Sequence, residues 1–430
     1  MKYYSLNYNS KSTQFHEAVK KGLAPDRGLY FPESIPQLPQ SFFDEIEKMS
    51  IPEMAYKVIK PYVGNQILKE KLMEIVTETL DFEFPIIEIT DQIAAMELFQ
   101  GPTLAFKDVG ARFMARSLGH FNEKSKEKVT VLVATSGDTG GAVANGFLGV
   151  EGVEVVILYP KGKVSEIQEK QLTTLGQNIT ALEVDGVFDD CQEMVKSAFL
   201  DAELSSIGLT SANSINIARW LPQMFYYFIA YRSLKHLNKK LVFSVPSGNF
   251  GNICAGIMGQ KMGLPIDHFI ASTNANDSVP RYMETGIYDP QPTIQTISNA
   301  MDVGNPSNFI RIQKIFNNDV VKMKKTLSAF RYTDQETKEA LKEIYDLKGY
   351  VADPHGAVGY LGLKEYLSQH GEDHYGVFLE TAHPVKFIDV VKKTLKIEVE
   401  VPERLNSTLS KEKESIPIKD YSELKAYLLN

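Results

Sequence analysis

VTVLVATSGDTGGAVANGFLG, residues 129–149, contains a strand pattern, a glycine-rich turn and a helix pattern in direct succession. The same order follows downstream, where the apolar runs VEVVILYP (153–160) and ITALEV (179–184) flank the amphipathic stretch KVSEIQEKQLTTLG (163–176). β-Branched runs that alternate with helical segments are typical of βαβ units, which form a parallel sheet covered by helices. The stretch therefore predicts an α/β fold.

A second series of strand patterns follows a long helical stretch at about 213–237. It comprises LVFSV (241–245), HFIAST (268–273) and GVFLE (376–380), with helical segments around 334–348 and 357–369. We therefore predict two doubly wound α/β domains, at 96–240 and 241–430. Residues 1–95, rich in aromatic residues and proline and then helical in pattern, form a separate N-terminal unit. The polar tail from about 402 shows no informative pattern.

The composition excludes several classes of protein. With 43% hydrophobic and 23% charged residues, the 430-residue chain is globular and too apolar for a disordered protein. Its net charge of −8 provides no basic field for nucleic acid or anionic lipid. The two cysteines, Cys191 and Cys254, form no disulfide framework or metal motif. No signal-peptide core or membrane-length apolar run is present, so we expect a cytoplasmic protein.

Three turns that follow strand patterns are the places where an α/β sheet binds ligands. They are TSGDTGG (135–141), PSGNFGN (246–252) and TAHP (381–384). In the first, hydroxyls and backbone N–H groups at a helix start suit a carboxylate, although an ordinary N-cap is the simpler alternative. The candidate residues of this turn are Thr135, Ser136, Asp138 and Thr139.

The second turn has the properties of a phosphate site. Its glycines allow close approach of the backbone, and the following helix offers unpaired N–H groups and a favourable dipole. The candidate residues are Gly248, Asn249, Phe250, Gly251 and Asn252. Neither a dinucleotide fingerprint nor a nucleotide P-loop is present, so the phosphate belongs to a small molecule. A tight strand-to-helix turn that needs glycine is the alternative.

Lys107 occupies an unusual position in PTLAFKDVG (102–110), because apolar residues at helical spacing begin directly after it. A helix N-terminus and burial beside Leu104 and Phe106 both lower an amine's affinity for its proton, which makes a lysine nucleophilic. A solvated surface lysine is the alternative. A reactive lysine together with a small phosphate site is what pyridoxal phosphate requires, and the Thr381 hydroxyl could serve its ring nitrogen.

The histidines are weaker candidates. His355 and His383 each precede a helix pattern, where a capping or buried role competes with proton transfer. No His/Cys cluster has metal-ligand spacing, so we predict no metal site.

Six motifs together resemble the shorter microbial and fungal branch of the threonine synthase family. In chain order they are APDRGLYFP (24–32), PTLAFKDVGARF (102–113), ATSGDTGGAV (134–143), PSGNFGN (246–252), DVGNPSNF (302–309) and TAHPVKF (381–387). The likeness extends over about residues 1–390. It implies a fold type II pyridoxal phosphate enzyme, similar to the tryptophan synthase β-subunit, that converts O-phospho-L-homoserine and water to L-threonine and phosphate.

The resemblance also implies roles for individual residues. Lys107 matches the lysine that binds the cofactor covalently, the Gly248–Asn252 turn the cofactor-phosphate site, and Thr381 the hydroxyl that faces the ring nitrogen. The turn at 135–139 is similar to the family's loop for the substrate carboxylate, with Asp138 where many relatives of this fold have asparagine. For the substrate's own phosphate, the irregular DVGNPSNF stretch offers Asn305, Ser307 and Asn308.

Three other functions are alternatives to threonine synthesis for a chain with these motifs. A serine/threonine dehydratase or cysteine synthase would not need the DRGLYFP and DVGNPSNF segments. A binding protein that had lost the chemistry would have no reason to keep Lys107, and a dehydrogenase lacks its dinucleotide fingerprint. A monomer and a dimer both stay open as the oligomeric state.

Overall fold

The computed structural model of the chain describes residues 1–123 and 128–430. The N-terminal part contains three short strands and four α-helices. They are β1 (Lys2–Ser5), β2 (Thr13–Gln14), α1 (Phe15–Lys21), β3 (Tyr30–Pro32), α2 (Gln40–Glu45), α3 (Ile51–Val63) and α4 (Lys69–Thr79). Strand β1 pairs antiparallel with β2 on one side and β3 on the other. Ser50 and Glu53 form a capping box at the start of α3. This explains why the helix begins at Ile51.

The middle of the chain alternates strands and helices, as the sequence predicts. Its elements are β4 (Ile86–Thr90), β5 (Ile93–Glu97), α5 (Lys107–Asn122), β6 (Val129–Ala134), α6 (Asp138–Phe147), β7 (Val153–Pro160), α7 (Glu166–Thr173), β8 (Ile179–Val184), α8 (Phe188–Leu200), β9 (Gly208–Thr210), α9 (Ile217–Trp220) and α10 (Met224–Leu234). The predicted helix at 213–237 begins only at Ile217 and is interrupted, because Leu221–Gln223, with Pro222 at its second position, forms a 3₁₀ turn between α9 and α10.

The last part repeats the alternation and ends in a short strand and a helix. Its elements are β10 (Lys240–Pro246), α11 (Gly251–Lys261), β11 (His268–Thr273), α12 (Ser278–Thr285), α13 (Phe309–Ile315), α14 (Val320–Lys324), β12 (Leu327–Arg331), α15 (Asp334–Lys348), α16 (Pro354–Ser368), β13 (His374–Glu380), α17 (Ile388–Leu395), α18 (Asn406–Leu409), β14 (Ile416–Ile418) and α19 (Tyr421–Leu429). Short 3₁₀ helices lie at Ile46–Lys48, Ala202–Leu204, Leu221–Gln223, Lys235–Leu237, Asn299–Met301, Pro384–Phe387 and Glu403–Leu405.

Two larger sheets organise these elements. The five-stranded sheet has the order β14-β8-β7-β6-β9 and is parallel throughout. The six-stranded sheet has the order β12-β11-β10-β13-β5-β4, and its only antiparallel pair within the described chain is β4 with β5. Both sheets have buried strands with near-continuous apolar runs, which is the pattern of parallel sheets covered on both faces.

The sheets draw on parts of the chain that the sequence assigns elsewhere. Strands β4 and β5 begin within the predicted N-terminal unit, yet β5 pairs with β13 in the six-stranded sheet. The polar tail is structured, since β14 adds an edge strand to β8 in the other sheet and α19 packs against α8. The division of the chain at residues 95 and 240 stays a prediction. The β5–β13 and β14–β8 pairings both join residues from different predicted units.

The carboxyl ends of both sheets open onto one cleft of about 1340 Å³. Loops after β6, β9, β10 and β13 line it, as expected for ligand sites in open α/β sheets. The N-terminal unit contributes the segment from Leu23 to Arg27. The fold therefore brings segments from most of the chain to one place.

Candidate active site

Lys107 is the first residue of α5 and lines the cleft with a half-buried side chain. The preceding backbone is fixed to the loop that follows β13. Ala105 forms a bridge with Ala382, and the Phe106 N–H donates to the Thr381 carbonyl at 2.9 Å. This short antiparallel contact places the lysine and Thr381 beside each other, although they are far apart in the sequence.

The surroundings of the Lys107 amine favour its neutral form. Burial lowers the pKa of Lys107, and the cations Lys386 and Arg219 act in the same direction, whereas Asp138 opposes them. Arg219 also donates to the Lys107 carbonyl at 3.0 Å, which fixes the first turn of the helix. The structure thus provides the setting of a nucleophilic amine that the sequence predicts.

Asp138, the first residue of α6, forms a buried ion pair with Lys386 at 2.7 Å. Gln168 donates to the same carboxylate at 3.0 Å. Burial alone would raise the pKa of Asp138, but the charges of Lys386 and Lys107 and these hydrogen bonds hold it well below its usual range. The negative charge of Asp138, which would otherwise disfavour an anionic ligand at this turn, is therefore neutralised within the protein. The sequence analysis did not identify Lys386 individually, although it lies in the TAHPVKF motif.

The turn after β6 is built by Thr135. Its hydroxyl oxygen accepts from the N–H groups of Gly137 and Gly140, both at 2.9 Å, so its side chain shapes the loop. Gly137 has a φ of 138°, which strongly favours glycine. Ser136 and Thr139 are half-buried and line the cleft, as does Thr135. The predicted carboxylate contact stays a prediction for these residues.

The Gly248–Asn252 turn allows very close backbone approach. A Cβ atom at Gly248 would lie 2.7 Å from the Met301 Cα, so only glycine fits there. Phe250 has a left-handed backbone with φ of 59°, which turns the chain into α11 at Gly251. The N-terminal N–H groups of α11 thus begin at the cleft.

A phosphate fits this turn. The Asn252 side-chain nitrogen is buried and has no hydrogen-bond partner among the residues that the structure describes, and its oxygen accepts from the Tyr227 hydroxyl at 2.9 Å. An orphaned donor beside a glycine cradle and a helix N-terminus matches the needs of an anion with several acceptor oxygens. The donor set therefore suits the phosphate of pyridoxal phosphate.

Thr381 follows β13 and lines the same cleft with only 7% of its surface exposed. Its side chain is a neutral hydroxyl, which suits the predicted partner of the cofactor's ring nitrogen. His383, two residues later, accepts from the Val385 N–H at 3.1 Å, and burial lowers its pKa to about 4. His383 thus caps the following 3₁₀ helix.

His355 lines the cleft but has both ring nitrogens engaged. Its Nδ1 lies 2.5 Å from the Asp353 carboxylate, and the Ala300 N–H donates to its Nε2 at 3.2 Å. This arrangement corresponds to a neutral ring with the proton on Nδ1. His355 therefore holds the segment of Ala300, whose carbonyl lies beside Gly248.

The three candidates for the substrate phosphate differ in their surroundings. Asn305 and Ser307 are exposed and line the cleft. The Ser307 N–H and hydroxyl both donate to the Asn249 side-chain oxygen at 3.2 Å, which links this segment to the glycine turn. Asn308 is fully buried, with its amide bonded to Ser214 and Arg311. The geometry does not support a substrate contact for Asn308, because protein atoms enclose its side chain.

Two cations in the cleft were missed by the sequence analysis. Arg27 and Lys163 are exposed, line the cleft and form no ion pair within residues 1–123 and 128–430. Arg27 has a left-handed backbone with φ of 66°, and the adjacent Asp26 carboxylate accepts from Gly28 N–H at 3.0 Å. Arg27 belongs to the DRGLYFP segment, but nothing local in that segment shows where its side chain ends.

The described residues contain neither a metal-binding cluster nor a membrane-spanning helix. No group of three or more His, Cys, Asp or Glu side chains in this part of the chain could hold a metal ion. Likewise, none of its helices combines the length and apolar character needed to cross a bilayer.

Comparison with known proteins decides the family. Residues 89–380 match the family described as "Pyridoxal-phosphate dependent enzyme", residues 2–80 match "Threonine synthase N terminus", and residues 356–428 match "Threonine synthase, C-terminal". The threonine synthase of Buchnera aphidicola subsp. Acyrthosiphon pisum is 46% identical, with 100% of both chains covered. The chain belongs to the threonine synthase family.

Two solved structures show the same fold over the whole chain. The crystal structure of threonine synthase from Escherichia coli superposes with a TM-score of 0.92 at 41% identity, covering 100% of both chains. That of "PLP bound Threonine synthase from Brucella melitensis" has a TM-score of 0.94 at 34% identity, covering 100% of this chain and 98% of the other. The predicted fold class, threonine synthase function and pyridoxal phosphate cofactor are confirmed.

Proposed function

We propose that this chain converts O-phospho-L-homoserine and water to L-threonine and phosphate in the cleft between its two sheets, with Lys107 as the residue that binds the cofactor. The observation that carries this proposal is the convergence of Lys107, the Gly248–Asn252 turn and Thr381 on one cleft. These are a reactive amine, a phosphate cradle and a neutral hydroxyl, which are the three groups that pyridoxal phosphate needs from a protein of this fold.

The residues that would hold the cofactor follow from their chemistry. The backbone N–H groups at Gly248–Asn252 would bind its phosphate, the Lys107 amine would bind it covalently, and the Thr381 hydroxyl would serve the ring nitrogen. When bound, pyridoxal phosphate withdraws electron density from the substrate's α-carbon and makes its proton removable. With a neutral hydroxyl as partner, the ring is a weaker electron acceptor than with a carboxylate, so proton positioning by the protein matters more.

Lys107 is suited to that proton transfer. Its Nζ atom has a lowered pKa, so it can accept the α-proton and return a proton later without large energetic cost. Arg219 holds the first turn of α5 through the Lys107 carbonyl, which limits how far the amine can move. The same nitrogen can therefore bind the cofactor and, once displaced, act as base and acid.

The two charged ends of the substrate have separate candidate donors. Ser136 and Thr139, at the start of α6, would bind the α-carboxylate, while Thr135 shapes their loop. Asn305 and Ser307 would bind the substrate phosphate, with the cleft cations Arg27 and Lys163 available to offset its charge. Because Lys386 neutralises Asp138, that carboxylate does not repel either group.

The reaction is tested with the purified full-length chain and pyridoxal phosphate. We expect O-phospho-L-homoserine to give inorganic phosphate and L-threonine in equal amounts. No phosphate should be released from the substrate when the cofactor is omitted. The dehydratase alternative predicts instead that L-threonine is converted to a 2-oxo acid and ammonia. Formation of the 2-oxo acid without phosphate release from O-phospho-L-homoserine would contradict the proposal.

Ser307→Ala tests the substrate-phosphate site. A hydrogen bond to a charged group contributes about 1.5–3 kcal/mol, so kcat/KM for O-phospho-L-homoserine should fall by about 10- to 100-fold. Ser368→Ala, an exposed serine at the end of α16, is the matched control and should leave kcat/KM unchanged. The visible spectrum of the bound cofactor should be the same in all three proteins. A change of less than about twofold in Ser307→Ala would exclude this contact.

A cytoplasmic location stays a prediction, supported by two cysteines that are both buried and free. The absence of a nucleic-acid partner and a monomeric or dimeric state also stay predictions. The acidic net charge of −8 supports the first of these.

A further inference from the structure

Arg311, in α13, is a fully buried arginine without a carboxylate partner in the described chain. Its guanidinium donates to three backbone carbonyls and one side-chain oxygen: Ser214 O at 3.0 Å, Ile215 O at 2.6 Å, Tyr30 O at 3.1 Å and Asn308 Oδ1 at 2.5 Å. The group also lies over the Trp220 ring, 4.2 Å from its centre. Buried charges are normally paired, because removing an ion from water is costly.

The contacts of Arg311 do not remove its net charge. Carbonyls, an amide and an aromatic ring offer only partial charges, and the buried Nε atom has no hydrogen-bond partner in the described part of the chain. Burial lowers the pKa of Arg311 to about 9, which still leaves the guanidinium protonated at neutral pH. The guanidinium therefore carries a full positive charge inside the protein, and an anion bound nearby would serve as its counter-charge.

Two hydrogen-bond partners of Arg311, Ser214 and Asn308, pack against the Gly248–Asn252 turn. Asn308 donates to the Ser214 hydroxyl at 3.0 Å, and both residues face Gly251. A Cβ atom at Gly251 would lie 3.3 Å from the Ser214 Cβ and 3.4 Å from the Asn308 Nδ2. Arg311 therefore contacts the two residues, Ser214 and Asn308, that lie beside Gly251, the first residue of α11 and part of the proposed phosphate site.

We propose that Arg311 is the buried counter-charge of the phosphate dianion held at the Gly248–Asn252 turn. It is a positioning residue: it attracts the dianion through the protein and fixes Ser214 and Asn308 beside Gly251. Charge interactions of this kind are strong because the intervening medium is of low polarity. The inference rests on the proposed function, which assigns this phosphate to the cofactor.

The alternative is that Arg311 only joins segments of the fold. Its bond to the Tyr30 carbonyl ties the N-terminal unit to the loop at 214–215. A purely structural residue would affect binding of the whole cofactor, whereas a counter-charge affects the phosphate selectively. Comparing pyridoxal phosphate with pyridoxal, which lacks the phosphate, separates the two roles.

The test measures dissociation constants of both compounds for the full-length chain freed of cofactor. In Arg311→Met, the preference for pyridoxal phosphate over pyridoxal should fall by about tenfold or more. Arg311→Lys keeps the charge and should retain most of the preference. Arg232→Met is the matched control, since Arg232 donates to the Met49 carbonyl and lies outside the cleft lining. An unchanged preference in Arg311→Met would overturn the proposal.

Asn308→Asp provides a second variant in case Arg311→Met does not fold. The new carboxylate would lie at the position that already contacts Arg311, so it would neutralise the guanidinium and keep that bond, while the donation from the Asn308 amide to the Ser214 hydroxyl would be replaced by donation from that hydroxyl to the carboxylate. We expect this variant to have a higher melting temperature without cofactor and about tenfold or more weaker binding of inorganic phosphate. Equal phosphate binding in Asn308→Asp and wild type would refute the counter-charge.

These measurements remain informative if the proposed reaction is wrong. Binding of inorganic phosphate and pyridoxal phosphate does not depend on turnover of O-phospho-L-homoserine. If the wild-type chain released no phosphate from that substrate, the proposed function would fail while Arg311 could still be tested. A loss in Arg311→Met confined to KM for O-phospho-L-homoserine would overturn the assignment to the Gly248–Asn252 turn.

Discussion

Lys107→Ala is expected to fold normally and to lose turnover by more than about 10³-fold. The side chain of Lys107 lines the cleft, while its carbonyl, which the substitution leaves in place, maintains the contact with Arg219. Under the proposed assignment, removal of the amine would eliminate both the covalent link to the cofactor and the group that exchanges the α-proton. The purified variant should therefore lack the visible absorption of covalently bound cofactor, while its melting temperature stays close to that of wild type.

The control for this variant is Lys163→Ala, an exposed lysine in the same cleft. It should keep the visible absorption even if substrate binding is weakened. Borohydride reduction of the wild-type protein, followed by peptide mapping, should label Lys107. A label on another lysine, or normal absorption in Lys107→Ala, would show that the assignment is wrong.

Lys386→Met should have the largest effect on stability, with a loss of about 3–5 kcal/mol in the free energy of unfolding. Both members of the Asp138–Lys386 pair are buried, with side-chain exposures of 4% and 0%. Without the lysine, Asp138 would be a buried carboxylate with one charged neighbour fewer. Lys413→Met is the matched control, because Lys413 pairs with Glu169 and Glu183 in a solvent-accessible setting and should contribute about 1 kcal/mol or less.

The pH dependence gives this prediction its sign. In the wild type the folded-state pKa of Asp138 lies below its ordinary value, so the pair stabilises the fold above about pH 4 and less as the pH falls further. In Lys386→Met the pKa of Asp138 should rise, which allows the carboxyl to take up a proton. Denaturant unfolding should therefore show a larger loss at pH 7 than at pH 5. A loss independent of pH would contradict the role of the charge, and Asp138→Asn/Lys386→Met should be less destabilised than Lys386→Met alone.

The sequence was most informative where structure is local. Strand and helix periodicities identified β6 to β8, β10, β11 and β13, and the apolar spacing after Lys107 located the start of α5. The turn at Gly248–Asn252 could be recognised because its glycines are visible in the sequence, and the structure shows that a Cβ atom at Gly248 would lie only 2.7 Å from the Met301 Cα. The motifs also established the family, which the comparisons confirm.

Contacts between distant parts of the chain were not predictable in this way. Strand β5 pairs with β13, and the short strand β14 in the polar tail pairs with β8. Pairing between strands that are distant in the sequence depends on which strands become neighbours in the fold, and the three residues of the edge strand β14 carry too little pattern to show it. The same limit applies to Arg27, whose place in the cleft depends on how the N-terminal unit docks.

Short segments of the sequence predict the α/β fold and the pyridoxal phosphate cofactor, which the comparisons confirm, and they identify Lys107 and the Gly248–Asn252 turn as the proposed cofactor site, because each of these depends on local chemistry. Only the three-dimensional structure shows which charges meet: Asp138 pairs with Lys386, whereas Arg311 has no carboxylate partner among the described residues and instead contacts Asn308 and Ser214 beside Gly251. The structure also argues against a substrate contact for Asn308, because its amide is enclosed by protein atoms. The physical reason is that burial and Coulomb energy depend on distances in space, which residue spacing along the chain does not specify.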